Sequence, residues 1–169
     1  VLLDKSMVPP VKVVFIYNHN PVVTHPDQNR MRRALAQEDL FIAGADVVLT
    51  DSIAYCDVVL PAASHFEFAD IYGSYGHHYL QRAEPVISLV GESLPNTEIF
   101  RRLAARYGFD DQIFQETDAE LMDAAFADAD PRLGGTRPSE LPLDLALAMT
   151  TTDGSDLILC DTVFPGTVS

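Results

Sequence analysis

Residues 40–67 read LFIAGADVVLTDSIAYCDVVLPAASHFE. The stretch contains two short apolar runs, Leu40–Ala43 and Val58–Leu60, and polar side chains follow each of them. Runs of this length that are rich in Ile and Val are typical of parallel strands buried on both faces of a sheet. In open parallel sheets, ligands bind just beyond the carboxyl ends of the strands. The sequence therefore predicts a sheet whose functional edge lies after these two runs.

A further strand and a crossover helix precede this stretch. Val11–Tyr17 reads VKVVFIY, a β-branched and aromatic run, and it ends in the turn-forming cluster Asn18–Pro21. Thr24–Asp27 has Pro and Asp where the first turn of a helix would be, and the helical pattern continues to about Gln37. Strand, helix and strand in this order make a right-handed parallel βαβ unit.

The pattern continues downstream with a helical turn at Asp51–Cys56 and a strand at Asp57–Leu60. A less regular stretch follows, with an extended segment expected within Tyr79–Ile87. Pro95 then opens a helix that Gly108 ends. We therefore predict the α/β class, as a three-layer, Rossmann-like parallel sheet with helices on both faces.

The character of the chain changes after Gly108. Glu116–Ala129 has the pattern of an acidic amphipathic helix, and the Pro- and Gly-rich residues from Asp130 onward predict loose structure. The last apolar run, Leu157–Cys160, predicts a strand without an obvious partner. We expect an α/β segment in residues 1–112 and a helical and irregular extension in residues 113–169. Because the chain starts on Val1 rather than Met, we also expect it to be part of a longer protein, with the extension a truncated linker towards a further domain.

Composition narrows the function classes. The 169 residues are 47% apolar, and 25 acidic against 11 basic residues give a formal net charge of −14. This charge argues against binding to nucleic acid or to an anionic membrane surface, both of which need a basic patch. No apolar run approaches the roughly 18 residues of a membrane span. Cys56 and Cys160 are far apart and form no CxxC pair, so a metal site or disulfide framework is not favoured.

Familiar catalytic motifs are absent from the sequence. It contains no GxSxG, P-loop, HExxH or GxGxxG pattern. His77 and His78 are adjacent, so their side chains would diverge on a strand or helix, which disfavours chelation of one metal by both. The favoured interpretation is a pair of loop histidines partly covered by aromatic rings. Hydrogen bonding or stacking beside a ligand is the alternative.

The predicted sheet edge is more informative. Asn18–Pro21 and Asp46–Asp51 follow sequential parallel strands, so we expect them to lie near each other. Asn side chains and free backbone N–H groups suit phosphate or ribose oxygens. The Asp46 carboxylate suits paired donors such as guanine N1–H and its exocyclic amine, or a ribose diol, and Thr50 suits phosphate. The alternative, that these residues are turn formers and helix N-caps, stays open on spacing alone.

Several separated motifs, in order, resemble the bis-molybdopterin guanine dinucleotide oxidoreductases, the family of dimethyl sulfoxide reductase, formate dehydrogenase and nitrate reductase. The resemblance covers roughly residues 8–109. The residues that carry it are Asn20-Pro21, Leu40-Phe41, Asp46, Thr50-Asp51, Ala54–Pro61, Glu67, Gly91-Glu92, Glu98–Phe100 and Leu103-Ala104.

The resemblance implies part of the third, Rossmann-like domain of a large catalytic subunit, which holds the guanosine end of one of two pterin cofactors. The cofactor would be bis-molybdopterin guanine dinucleotide with molybdenum or tungsten. None of the residues here would be catalytic or metal-ligating, so the isolated chain is expected to be inactive. Asp57 and Glu67 fall within matching motifs but are expected to be structural. The residues expected to bind the cofactor are Asn18, His19, Asn20, Pro21, Asp46, Thr50 and Asp51.

The implied partners are the remaining domains of the same subunit, with an electron-transfer subunit and an iron–sulfur cluster outside this chain left open. Two departures put the substrate in doubt. Asn18-His19 stands where many family members have a Gly-rich turn, and Tyr75–Gln81 stands where they often have an Asn-containing segment ending in Gly-Arg. Two other hypotheses remain: a free-standing nucleotide-binding α/β module with a regulatory role, and, more weakly, an enzyme that uses His77 and His78.

Overall fold

The computed structural model describes residues 2–4, 6–73, 77–126 and 130–150. The chain forms two compact units, one of Val1–Ser64 with Leu89–Ile99, the other of His65–Ser88 with Phe100–Ser169. Each unit is described by itself. The expected division of the chain after residue 112 stays a prediction, and the expected strand at Leu157–Cys160 lies outside the described residues.

The first unit is built on a parallel three-stranded sheet. Its strands are β1 (Val13–Tyr17), β2 (Phe41–Asp46) and β3 (Val58–Pro61), in the order β1-β2-β3. The register aligns Phe15 with Ala43, and Ala43 with Val58. Helices α1 (Pro21–Thr24) and α2 (Gln28–Leu35) connect β1 to β2, and a 3-10 turn at Ile53–Tyr55 precedes β3. The predicted α/β class with a parallel sheet is confirmed.

The connection between β1 and β2 differs from the single helix expected from Thr24 to about Gln37. His25 is extended, and Asp27 adopts a left-handed conformation with φ of 56°. The Asp27 side chain accepts a hydrogen bond from the backbone N–H of Arg30 at 3.1 Å, so it caps a helix that begins only at Gln28. The predicted start was wrong because Asp27 serves as the cap rather than as a residue of the first turn.

One face of this sheet carries the core of the unit. Ile16 and Ile42 pack in a buried cluster with further apolar side chains, namely Val22, Leu35, Leu40 and Ile53. At Gly44 the fit is so tight that a Cβ atom would lie 2.5 Å from Ile53 Cδ1 and 2.7 Å from Cys56 Sγ. A side chain at this position would therefore require the side chains of Ile53 and Cys56 to move.

Burial of the strands departs from expectation. Phe41 is 47% exposed, Val58 43% and Val59 41%, so the prediction that both apolar runs are buried on both faces was wrong. Apolar composition reports strand propensity, whereas burial depends on which other elements pack against each face. The exposed Val58 and Val59 side chains point to opposite faces of the sheet, so β3 is incompletely covered on both faces.

Helix α3 (Asn96–Tyr107) runs from residues of the first unit into the second. It begins after Pro95, as expected, and is followed by Gly108 with φ of 76°. This left-handed conformation suits glycine at the end of a helix. None of the described residues forms a helix long and apolar enough to span a bilayer.

The second unit contains a small antiparallel sheet with strand order β4-β5-β6. Its strands are β4 (Asp70–Tyr72), β5 (Tyr79–Ala83) and β6 (Leu147–Ala148). Helix α4 (Asp118–Ala124) starts with a capping box between Thr117 and Glu120. Three 3-10 turns complete the described part of the unit, at Gln112–Phe114, Pro131–Leu133 and Pro138–Glu140.

Residues 130–150 are more ordered than the loose structure that their composition predicts. Leu133 and Leu141 are each 1% exposed and form a core with Leu80 of β5. The helix predicted from Glu116 is also shorter, because α4 begins at Asp118 and ends at Ala124. Residues 127–129 of that prediction lie outside the described residues. The Pro and Gly residues here shape turns that bring distant leucines into one cluster.

Candidate functional site

A buried serine joins the segment after β1 to the segment after β2. The Ser52 side chain is fully buried, and its Oγ accepts a hydrogen bond from the backbone N–H of Val22 at 2.9 Å. The same Oγ donates to the Asn20 side-chain carbonyl, Oδ1, at 2.6 Å. The expected closeness of the two loops at the carboxyl edge of the sheet is therefore realised through one hydroxyl group.

This bond chain also fixes the orientation of the Asn20 amide. A backbone N–H can only donate, so Ser52 Oγ is the acceptor for Val22 and has one proton left to donate. That proton requires an acceptor, which is Asn20 Oδ1 and not its amide nitrogen. The two N–H donors of the half-buried Asn20 are thus the part of its side chain that can serve a ligand with acceptor atoms.

Asp46 is the last residue of β2, whereas the sequence predicted that it follows the strand. Its Oδ1 accepts from the backbone N–H of Val47 at 2.8 Å, and its Oδ2 accepts from Thr50 Oγ at 3.3 Å. Thr50 Oγ in turn accepts from the backbone N–H of Ile53 at 3.3 Å. Because a carboxylate has about four lone-pair positions, the half-buried Asp46 retains capacity to accept from a ligand.

Asp51 contacts a helix. Its Oδ1 lies 3.4 Å from Arg32 Nη2 of α2, in an exposed ion pair of the kind that contributes little to stability. The pKa of Arg32 is raised mainly by its hydrogen bond with the Tyr55 hydroxyl group, and the Asp51 carboxylate raises it further. Arg32 therefore links α2 to the loop that contains Asp51.

The loop after β1 begins with a left-handed residue, Asn18, at φ of 51°. Asn tolerates this conformation, which places a sharp turn directly after the strand. The next residue, His19, is exposed, and its Nε2 lies 2.9 Å from His25 Nε2 and 3.4 Å from Thr24 Oγ. Thr24 Oγ also donates to the backbone carbonyl of Asn20 at 2.9 Å, while the buried Pro21 starts α1.

Asp57, directly before β3, is hydrogen-bonded to the beginning of β2. Its Oδ2 accepts from the backbone N–H of Ile42 at 2.8 Å, and its own N–H donates to the Ile42 carbonyl at 2.7 Å. The expected structural role of Asp57 agrees with these bonds.

Glu67, in the second unit, is 9% exposed.

His77 and His78 lie in the second unit beside Tyr79. The backbone N–H of Tyr79 donates to His77 Nδ1 at 3.2 Å, and the His78 ring stacks on the Tyr79 ring at 5.2 Å between centroids. His78 is half-buried against this ring and His77 is exposed, so the interpretation of covered loop histidines fits His78, and the alternative of a ligand contact stays open as a prediction. Within the described residues, no group of three or more His, Cys, Asp or Glu side chains could hold a metal ion.

Sequence reasoning missed three contributors to this site: Ser52, Arg32 and His25. Ser52 lies in the predicted turn at Asp51–Cys56, and only its spacing from β2 hinted that it faces the neighbouring loop. Arg32 reaches the site through a contact between distant parts of the chain, and His25 through the fold of the segment that it shares with His19.

The parallel sheet with polar side chains gathered at its carboxyl edge is of the class that binds ligands at that edge. The family model of the molybdopterin oxidoreductases matches residues 3–106, more than half of the chain. The chain therefore belongs to the molybdopterin oxidoreductase family, and the resemblance found in its sequence is confirmed.

Individual relatives agree with this assignment. The chain is 48% identical over 122 residues to the probable oxidoreductase YoaE of Bacillus subtilis, covering 72% of this chain and 18% of that protein. It is 27% identical over 162 residues to the dimethyl sulfoxide/trimethylamine N-oxide reductase of Rhodobacter capsulatus, covering 91% of this chain and 20% of the reductase. The chain thus spans about a fifth of the length of these relatives.

A solved structure shares the fold. Acetylene hydratase from Pelobacter acetylenicus superimposes with a TM-score of 0.58 over 68% of this chain and 16% of the hydratase chain, at 23% sequence identity. This match supports the α/β architecture independently of sequence motifs.

Proposed function

We propose that this chain holds the guanosine end of a molybdopterin guanine dinucleotide within a molybdenum or tungsten oxidoreductase. The observation that carries the proposal is the hydrogen-bond chain from Val22 through Ser52 to Asn20, which unites the loops after β1 and β2. Membership of the molybdopterin oxidoreductase family supports the pterin part of this ligand.

The donors and acceptors of the edge fit such a ligand. Asn20 offers amide N–H donors, which suit phosphate or ribose oxygens, because its carbonyl oxygen is bound to Ser52. Asp46 offers carboxylate lone pairs, which suit guanine N1–H with its exocyclic amine, or a ribose diol. Thr50 donates its hydroxyl proton to Asp46, so its role in the proposal is to hold that carboxylate in place.

The remaining residues expected to bind the cofactor have lesser roles in the proposal. Asn18 and Pro21 shape the loop, His19 lies at its exposed surface, and Asp51 is oriented by Arg32. When bound, the pterin and its metal would supply the redox chemistry, and this chain would orient the far end of the dinucleotide. The isolated chain would be inactive, with the rest of the catalytic subunit, and an electron-transfer subunit, as its partners.

The proposal is tested with guanosine diphosphate as the probe and adenosine diphosphate as the comparison. We expect guanosine diphosphate to shift the backbone amide signals of Asn20, Asp46 and Thr50 in NMR titrations more than adenosine diphosphate does. Asp46→Asn should weaken guanosine diphosphate binding by about tenfold or more, since a hydrogen bond to a charged group contributes about 1.5–3 kcal/mol. Asn keeps the size of the side chain but replaces one acceptor oxygen by a donor.

The control is Asp39→Asn, the same exchange at an exposed carboxylate that pairs with Lys12 before the start of β2. It should leave nucleotide binding unchanged. Equal affinity for the two nucleotides would contradict the proposal and favour a free-standing nucleotide binder. In a full-length protein carrying this segment, Asp46→Asn should lower the guanosine monophosphate released per metal ion, and an unchanged ratio would also contradict the proposal.

A further inference from the structure

Two histidines that are six positions apart meet over the loop after β1. The Nε2 atoms of His19 and His25 are 2.9 Å apart, their ring centroids are 4.9 Å apart, and the ring planes are inclined by 51°. At this distance one imidazole donates a proton and the other accepts it, so two basic nitrogens share a single proton. Both side chains are exposed, which leaves room for water beside them.

We propose that His19 and His25 form a binding site for a divalent transition-metal ion, in which both Nε2 lone pairs ligate the metal and the proton between them moves through water to Nδ1 of the ring that donated it. Imidazole nitrogen is a preferred ligand of nickel, copper and zinc. This site goes beyond the proposed dinucleotide function and does not depend on it. With two protein ligands, water molecules complete the coordination shell.

The separation of the two nitrogens selects a coordination geometry. Metal–imidazole bonds of about 2.0–2.1 Å to nitrogens 2.9 Å apart enclose an angle of roughly 90° at the metal. Such an angle joins neighbouring positions of an octahedral or square-planar ion, whereas a tetrahedral zinc ion needs nitrogens roughly 3.3 Å apart. At this separation the pair suits Ni²⁺ and Cu²⁺, and the general affinity series also ranks Cu²⁺ above Zn²⁺.

The backbone on either side of both histidines is held in place. The His25 N–H donates to the Pro21 carbonyl at 3.1 Å, and Thr24 Oγ donates to the Asn20 carbonyl at 2.9 Å. Ser52 fixes Asn20, the residue after His19. Little backbone freedom is then lost on binding. The rings themselves must rotate, because in the hydrogen-bonded pair the lone pair of one nitrogen points at the other nitrogen and not at a shared ion.

The test titrates the untagged chain with nickel chloride by calorimetry at neutral pH. We expect one site, with affinity lowered at least tenfold in His19→Gln and in His25→Gln, since losing even an outer-shell partner typically costs about 10–100-fold. The matched control is His77→Gln with His78→Gln, which removes two histidines from the second unit and should leave nickel binding unchanged. Unchanged urea midpoints would show that the exposed His19 and His25 variants are folded.

Nickel binding that survives both His19→Gln and His25→Gln, or that is lost in the His77 and His78 control, would overturn the site. Cobalt provides the geometric readout, because octahedral Co²⁺ absorbs weakly in the visible range and tetrahedral Co²⁺ absorbs strongly. We expect the weak spectrum, and an intense tetrahedral band or a preference for Zn²⁺ would overturn the geometry. Since no nucleotide is present, failure here leaves the dinucleotide proposal untouched.

Discussion

A single hydroxyl group, that of Ser52, determines the polarity of the candidate site at the residue scale. It accepts from Val22 and donates to Asn20 Oδ1, so the NH₂ group of Asn20 is turned away from Ser52 and has two donors to offer a ligand. Asp46 has the opposite character, since its carboxylate accepts from Val47 and from Thr50. Two loops that follow neighbouring strands thus present one donor side and one acceptor side.

Removing this hydroxyl group should destabilise the first unit. We expect Ser52→Ala to lower the free energy of unfolding by about 1–3 kcal/mol, because the buried N–H of Val22 loses its acceptor. The measurement is urea unfolding followed by circular dichroism. Ser6→Ala, at an exposed serine whose hydroxyl group donates to Asp4, is the control and should change stability by less than about 0.5 kcal/mol. Equal stability of the two variants would contradict the assigned role of Ser52.

At the scale of elements, short capped turns order the second unit. Asp130 is 7% exposed and caps the 3-10 turn Pro131–Leu133 by accepting from the Arg132 backbone N–H at 2.9 Å. It also pairs with the Arg132 guanidinium at 2.7 Å, and the guanidinium carbon lies 5.5 Å from the centre of the Phe126 ring. The capped turn ends at Leu133, which is buried in the core beside Leu80 and Leu141.

This cap makes stability depend on pH. The side-chain hydrogen bond from Arg132, with its backbone N–H, lowers the pKa of Asp130 below the ordinary value. A lowered pKa in the folded state stabilises the protein above the unfolded-state pKa of about 3.9, and this contribution is lost as pH falls through the folded-state pKa. We expect Asp130→Asn to lower the urea midpoint at neutral pH, and the difference from the wild type to shrink below about pH 4.

The matched control is Asp144→Asn, at an exposed aspartate of the same unit, which should leave the midpoint unchanged at every pH. A difference between wild type and Asp130→Asn that grows on acidification would contradict the ion pair as its cause.

At the scale of the whole molecule, the dominant property is charge. Twenty-five acidic and 11 basic residues give the net charge of −14, and like charges repel in any compact state. Added salt screens this repulsion, with a Debye length that falls from about 30 Å at 0.01 M to about 8 Å at 0.15 M. Self-repulsion should therefore limit the stability of the chain at low ionic strength.

We expect the melting temperature to rise with sodium chloride over this range. Each kcal/mol of relieved repulsion corresponds to a rise of roughly 2–4 °C for a chain of this size. Differential scanning calorimetry measures the shift, with an uncharged sugar at equal osmolality as the control. A melting temperature that falls with salt would show that favourable ion pairs outweigh the net repulsion.

The parallel sheet was predictable because its signals are local. The β-branched runs locate β1, β2 and β3 to within three residues at each end, and Pro95 and Gly108 mark the limits of α3. Strands β4 and β6 gave no such signal, since they have three and two residues and form by pairing with β5. Pairing over long sequence separations depends on the completed fold, so local periodicity cannot reveal it.

The sequence established the α/β class, the family and the two loops of the candidate site, because strand propensity, turn chemistry and motif order are properties of neighbouring residues. The fold decided how those loops are used. It joined them through Ser52, tied Asp51 to Arg32 and brought His19 against His25. Hydrogen bonds and ring contacts act over about 3–5 Å, so their partners are set by the path of the chain in space rather than by position along it.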